Sequence, residues 1–339
     1  IRFVHNLMAS SKRNQTTTSV LSALCYKDKL LLSYPEALAL HSLRELDLPL
    51  LSTRNSSSPY ISLEQGTKKD IIIATSIDSV VAYKIDEANN INEICRWRPG
   101  ISLTTSAISY TNEIVATGRA DGIIQFWSFN EGSISKLWEC AAHEASVNCI
   151  DFSSENNLVA SSSKDCSCKI YNFQNQQLVK TLYFAEHDDS KNLPILSVKF
   201  SRSGDFLYTV AADQNSYVTL WDVLENYKPI VTHRLHASPI TAFTLSLDGF
   251  YLGIGTEDGF VKIMNTRTME FEQDKEDMSA KVTALNFTWG SRNLIAAGSD
   301  GTLHSIANAR GEGFFSKMSK VWVLTVFLLW IYLYLTNSS

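Results

Sequence analysis

Basic residues are in short supply: of 339 residues only 30 are Lys or Arg, against 35 Asp or Glu, for a formal net charge of −5. No long basic block occurs, and the short clusters Lys12-Arg13 and Lys68-Lys69 read as solvated loops. The electrostatic footprint of nucleic-acid binding is missing, so nucleic acid is not expected as a partner. Cysteines number only six (Cys25, Cys95, Cys140, Cys149, Cys166 and Cys168), and only the last two are close. At i, i+2 on a strand those two would share a face. Neither a histidine partner nor a second cysteine pair stands at zinc spacing, so no metal and no cofactor is expected. The scatter suits a reducing compartment rather than a disulfide framework. A phosphate loop is lacking, and no Ser or Cys nucleophile stands in a recognisable elbow; the chain reads as a regulator or binder rather than an enzyme. The Asn-X-Ser/Thr triplets at Asn14, Asn55, Asn286 and Asn337 are read as inert in a cytosolic domain. Ile1 stands where a natural start would have Met, so that start is read as missing.

What is present is a repeat. Hydrophobic content is 45%, enough for a large core. A short apolar β run, a tight turn and a second β run ending on an aromatic or aliphatic residue recur along the chain. Copies are IIIATSIDSVVAYKI (71–85), EIVATGRADGIIQFWSF (113–129), LVASSSKDCSCKIYNF (158–173), LYTVAADQNSYVTLWDV (207–223), YLGIGTEDGFVKIMNT (251–266) and LIAAGSDGTLHSIAN (294–308), with a degenerate one in KLLLSYPEALALHSL (29–43). The acidic turn residues Glu36, Asp78, Asp121, Asp165, Asp213, Asp258 and Asp300 mark the units at intervals of 42, 43, 44, 48, 45 and 42 residues. Seven units of 40–45 residues, each able to supply four strands, predict an all-β, seven-bladed β-propeller of WD-repeat type over 19–310. Asp and Gly suit those turns because they tolerate positive φ. Trp127, Tyr171 and Trp221 are expected to pack between blades. His143 precedes Asp165 by 22 residues, as His236 precedes Asp258. Such pairs are expected to be structural struts rather than acid/base catalysts. After the seventh turn only GTLHSIANA (301–309) is good strand, so the N-terminal segment 1–18, whose IRFVHNL alternates, is assigned as a closing strand for the last blade.

The one long apolar run lies at the end. Val321 to Leu335 carries a single Thr and no charge. As a helix of fifteen residues it would span roughly 22 Å, short of the ~30 Å hydrocarbon core. Trp322 near one end and Trp330, Tyr332 and Tyr334 near the other are placed as interfacial aromatics are, and Lys317 and Lys320 can snorkel to lengthen the span. The expectation is a tether at 311–320, a transmembrane helix at 321–336 and a lumenal tail at 337–339, with the propeller cytosolic by the positive-inside rule. A short span costs least in the thin endoplasmic-reticulum bilayer. It has no polar residue to line a channel and no GxxxG-type face.

A propeller ahead of such an anchor resembles the prolactin regulatory element-binding protein family, the endoplasmic-reticulum-anchored guanine-nucleotide exchange factors for the secretion-associated Ras-related GTPase. The similarity runs from about Glu113 onward and is strongest in IVATGRADGIIQFWSF, AAHEASVNCIDFS (141–153), HASPITAFTLSLDGFYLGIGTEDGFVKI (236–263) and VTALNF (282–287). The resemblance implies a propeller face that binds the small GTPase of coat-protein-II vesicle budding. It also implies the coat machinery and membrane lipid as further partners, at the endoplasmic-reticulum membrane. The family opens the nucleotide site with a glycine-rich, potassium-stabilised loop between the second and third strands of the first blade. The corresponding place here is Ser33, Tyr34, Pro35 and Glu36, in SYPEAL, without a glycine. No catalytic residue carries over by position. Two accounts remain: a fragment or divergent first blade of an exchange factor, or a relative that binds without exchanging. A membrane-tethered scaffold for some other complex is the alternative, since fold alone does not fix function.

Overall fold

The structure is a computed structural model that describes residues 3–6, 19–44, 48–66, 70–100, 102–130, 133–155, 157–184, 193–212, 216–236, 238–271, 276–291 and 293–307; the side chains of 3–6, 212, 235, 236, 276, 277 and 307 are outside the description. Among these residues the chain forms seven four-stranded antiparallel sheets. Blades 1 to 6 occupy 22–55, 60–97, 103–141, 147–183, 195–236 and 240–277, each a meander in chain order. Blade 7 takes three strands from 282–307 and its outermost from Phe3–Asn6, paired antiparallel to Thr302–Ser305. The first strands of neighbouring blades touch all the way round, including that of blade 7 against that of blade 1, so the sheets close a ring about one axis.

Burial follows from this arrangement. Second strands are covered on both faces by adjacent blades, and they read as near-continuous apolar or small runs: all six residues of Ile71–Ser76, Leu158–Ser163 and Tyr251–Thr256 are buried. Outer strands face solvent along one side and alternate, as Ser133–Ala141 does. No single core exists; each pair of neighbouring sheets encloses its own cluster. Leu31 and Leu40 of blade 1 meet Ile72 and Val81 of blade 2, and Leu30 and Leu32 of blade 1 meet Ile295 and Leu303 of blade 7. The expected inter-blade aromatics belong to such clusters: Trp127 joins Ile71 and Ile73, Tyr171 joins Phe126 and Val147, and Trp221 joins Leu158 and Ile170. Trp127 and Trp221 also donate their indole N–H to Thr117 and Thr209 on the strand alongside, at 3.1 and 2.9 Å.

The acidic turn residues sit between second and third strands, at one rim of the ring. The carboxylates of Asp165 and Asp300 accept hydrogen bonds from the residue two further on, Ser167 N–H to Asp165 at 2.9 Å and Thr302 N–H to Asp300 at 3.0 Å, whereas Asp78 accepts from the Ser76 hydroxyl two before it. After Asp121, Asp258 and Asp300 the next residue takes positive φ, Gly122 at +84°, Gly259 at +91° and Gly301 at +81°, whereas Ala37 and Ser79, after Glu36 and Asp78, do not. Asp213 lies outside the described residues. Blade 4 departs from the glycine pattern, because Cys166 (φ +69°) occupies that position. Cys166 therefore lies in the turn, not on the strand Ser167–Asn172 with buried Cys168, and the two do not share a strand face as the spacing had implied. Cys166→Gly is expected to raise stability by about 0.5–1 kcal/mol, the left-handed penalty relieved less the added chain entropy of glycine. Denaturant midpoints of the two proteins check it.

No helix among the described residues is long and apolar enough to cross a membrane. The expected span at 321–336, with Trp322, Trp330, Tyr332 and Tyr334, and its flanks at 311–320 and 337–339 lie outside the described residues.

Candidate partner-binding face

One rim of the ring carries the turns between second and third strands together with the connections from each blade to the next. Both candidate features of the sequence fall there.

The His143–Asp165 pair is built. His143 lies in the connection from blade 3 to blade 4, and its buried imidazole places Nδ1 2.9 Å from Asp165 Oδ2 and 3.1 Å from Ser167 Oγ. Nε2 lies 2.8 Å from Ser161 Oγ. Asp165 also accepts the Glu144 N–H at 3.1 Å and the Ser167 hydroxyl at 2.6 Å. Burial lowers the His143 pKa despite the pull of Asp165, so the ring is neutral and donates from Nδ1–H. Burial pushes the Asp165 carboxyl up, but its hydrogen bonds from Ser167 and the field of His143 outweigh that and hold it below the ordinary value.

Ser161, His143 and Asp165 have the connectivity of a catalytic triad, yet Ser161 is only 1% exposed and its hydroxyl also lies 3.3 Å from the Lys169 carbonyl. A shallow polar depression above it reaches Asp165, Ser167, Lys169, Glu144 and Tyr183 but not Ser161. The arrangement ties the inter-blade connection to the turn. Because the folded pKa of His143 is depressed, its contribution is complete above about pH 6.5 and is lost as pH falls below that toward the folded value. His143→Gln is accordingly expected to shrink the drop in unfolding temperature between pH 7.5 and pH 5.5. The second pair is described only in half. Asp258 accepts from the Thr256 hydroxyl, whereas the His236 side chain lies outside the described residues.

The first-blade turn, where the resemblance implies an exchange loop, is short and locked. Lys29–Ser33 passes to Ala37–Ser42 through Tyr34, Pro35 and Glu36 alone. Tyr34 N–H donates to the Ala37 carbonyl at 2.8 Å, and the Glu36 carbonyl accepts from Ser56 N–H at 2.8 Å. Ser33 is fully buried and donates its hydroxyl to the Tyr60 carbonyl of blade 2 at 2.9 Å. Burial pushes the Tyr34 phenol up to about 12. Pro35 and Glu36 are exposed. The turn is thus tied at the Tyr34 N–H and the Glu36 carbonyl, and proline fixes φ at its centre.

Sequence reasoning missed the polar lining of the axis. Lys199, on the first strand of blade 5, donates to Asp151 on the first strand of blade 4 at 3.1 Å, and Asp151 also accepts Phe200 N–H at 2.7 Å. Burial alone would lower the Lys199 pKa, but the fields of Asp151 and Glu64 hold it well above the ordinary lysine value. Glu64, on the first strand of blade 2, has no hydrogen-bond partner among the described residues, and burial raises its pKa. The available signal was a single ionisable residue in each of the short apolar runs CIDF and SVKF. Among the described residues, no three His, Cys, Asp or Glu side chains converge as a metal site requires.

Seven such sheets closed about one axis define a seven-bladed β-propeller. The family model of the WD domain, G-beta repeat, matches residues 134–172. That stretch takes the outer strand of blade 3 and the first three strands of blade 4, so the sequence repeat straddles two blades. Among curated proteins the chain is 26% identical over 199 residues to SEC12-like protein 1 of Arabidopsis thaliana, covering 57% of this chain and 48% of that protein. It is 24% identical over 247 residues to pre-mRNA-processing factor 19 homolog 2 of the same plant, covering 72% and 45%. A guanine nucleotide-binding protein subunit beta from Oryza sativa subsp. japonica matches at 23% over 263 residues, covering 72% and 67%. The chain spans about half the length of the first two of these relatives.

Proposed function

We propose that this chain is a membrane-anchored WD-repeat adaptor of the early secretory pathway, which docks the small GTPase of coat-protein-II budding on its turn-bearing rim without accelerating release of bound nucleotide. Three things support the reading. The similarity to a SEC12-like protein points toward secretion. The uncharged run 321–335, flanked by Lys317 and Lys320, has the composition of an anchor in a thin bilayer such as that of the endoplasmic reticulum. The observation that carries it is the first-blade turn. A glycine-rich loop stabilises an opened nucleotide site by reaching into it, and three residues closed on themselves do not reach. Contacts made by the rest of the rim are independent of that loop, so binding persists where exchange does not.

The test is co-flotation of the GDP-bound GTPase with phospholipid vesicles carrying the full chain. Retention on the vesicles is expected. A GTPase left at the bottom of the gradient would favour the second reading, a tethered scaffold for some other protein complex, which the comparable similarity to a pre-mRNA-processing factor 19 homolog and a guanine nucleotide-binding protein subunit beta supports.

A further inference from the structure

We infer that the opposite rim of the ring, at blades 6 and 7, rests against the same bilayer that the anchor enters, with Leu247 and Trp289 in its interfacial zone; this builds on the reading of 321–336 as a span. The antiparallel meander fixes where the chain leaves the ring. The last strand, Thr302–Ala307, starts at the acidic-turn rim and runs to the other one, where Ala307 pairs with Asn293. Asn293 closes the first turn of blade 7, since its carbonyl accepts from Thr288 N–H at 2.9 Å. Trp289 therefore stands within a few residues of the exit. Thirteen residues, 308–320, separate that exit from Val321. Fully extended they reach at most about 45 Å, and as a flexible coil their root-mean-square span is about 20 Å. A six-residue strand is itself about 20 Å long, so the exit rim sits near the membrane and the acidic-turn rim faces away from it.

The surface at the exit suits that neighbour. Trp289 is 57% exposed and Leu247, on the first turn of blade 6, is 43% exposed. The two turns are joined, as Asp248 N–H donates to Ser291 Oγ at 3.4 Å. Arg202 of blade 5 donates to the Leu247 carbonyl at 2.6 Å and extends the joined rim by one blade. Exposed tryptophan and leucine on linked turns cost free energy in water and gain it at a headgroup boundary, where the indole keeps its N–H wet. The sequence of these turns is balanced in charge: Arg202, Arg267 and Arg292 stand against Asp205, Asp248 and Glu270. A neutral, phosphatidylcholine-rich surface is the fit.

The full chain in phosphatidylcholine nanodiscs, compared with the full chain in detergent, tests this by amide hydrogen exchange. Slower exchange is expected at 246–250 and 288–291, with 119–122, 164–166 and 257–259 unchanged. The exposed double substitution Leu247→Asp with Trp289→Asp is expected to abolish the protection while the protein still floats with vesicles. Protection at the acidic turns, or at neither rim, would overturn the inference. Release of the wild-type chain from membranes by alkaline carbonate would instead overturn the reading of the span on which it builds.

Discussion

Replacing Lys199 by methionine is expected to lower the stability of the propeller by about 3 kcal/mol, the lower end of what breaking a buried ion pair costs, because water reaches the axis. Among the described residues the ammonium is the cation held between Asp151 and Glu64, and both carboxylates stay when it goes. Two negative charges then share a low-dielectric space with nothing between them. The double mutant carrying Glu64→Gln as well is expected to recover part of the loss, and a double-mutant cycle measures the coupling. Glu64 has a characteristic sign. Its folded pKa is raised above the unfolded value, so what it contributes is present at acid pH and lost as pH rises through the folded value. Glu64→Gln alone should therefore stabilise the protein at neutral pH more than at pH 4, read from denaturant midpoints at the two pH values.

Gly122→Val is expected to cost more than about 3 kcal/mol, a large share of the roughly 5–15 kcal/mol that holds a domain folded. Two causes add. At φ +84° a β-branched residue pays the left-handed penalty, and its Cβ would stand 1.9 Å from the His143 carbonyl oxygen. That contact is with backbone. His143 N–H also donates to the Gly122 carbonyl at 3.0 Å, so relief by movement breaks the connection that holds the strut. Gly290 is the control: at φ +89° it has nothing within 4 Å of a built Cβ, so Gly290→Ala should cost only the conformational term, about 1 kcal/mol. Thermal unfolding of the two variants separates sterics from conformation.

The ring was legible in the sequence because each blade announces itself locally. Period-two apolar runs, an acidic residue and a glycine that tolerates positive φ recur within some fifteen residues, and IRFVHNL alternates as a strand without a partner must. The strut was legible at His143 for the same reason, since its spacing to Asp165 repeats. What stayed hidden depends on which blades become neighbours. Thr104 donates to the Val147 carbonyl of the next blade at 2.6 Å, as Thr241 does to Val282. Both threonines stand at bulges in first strands, where the register with the second strand slips by one residue. Nothing local in a six-residue strand marks such a slip. Lys199 and Asp151 lie 48 residues apart and meet only because two first strands adjoin at the axis. The left-handed Cys166 escaped because a non-glycine in that conformation has no sequence signature.

The decisive measurement for the proposed function is the rate at which the small GTPase of coat-protein-II budding, loaded with a fluorescent GDP analogue on vesicles, releases it in the presence of the full chain. With the first-blade turn closed by Tyr34, Pro35 and Glu36, the rate should match that of the GTPase alone even at chain concentrations that saturate binding. Release faster by an order of magnitude would contradict the account, because it would mean that the ring opens the nucleotide site without the loop.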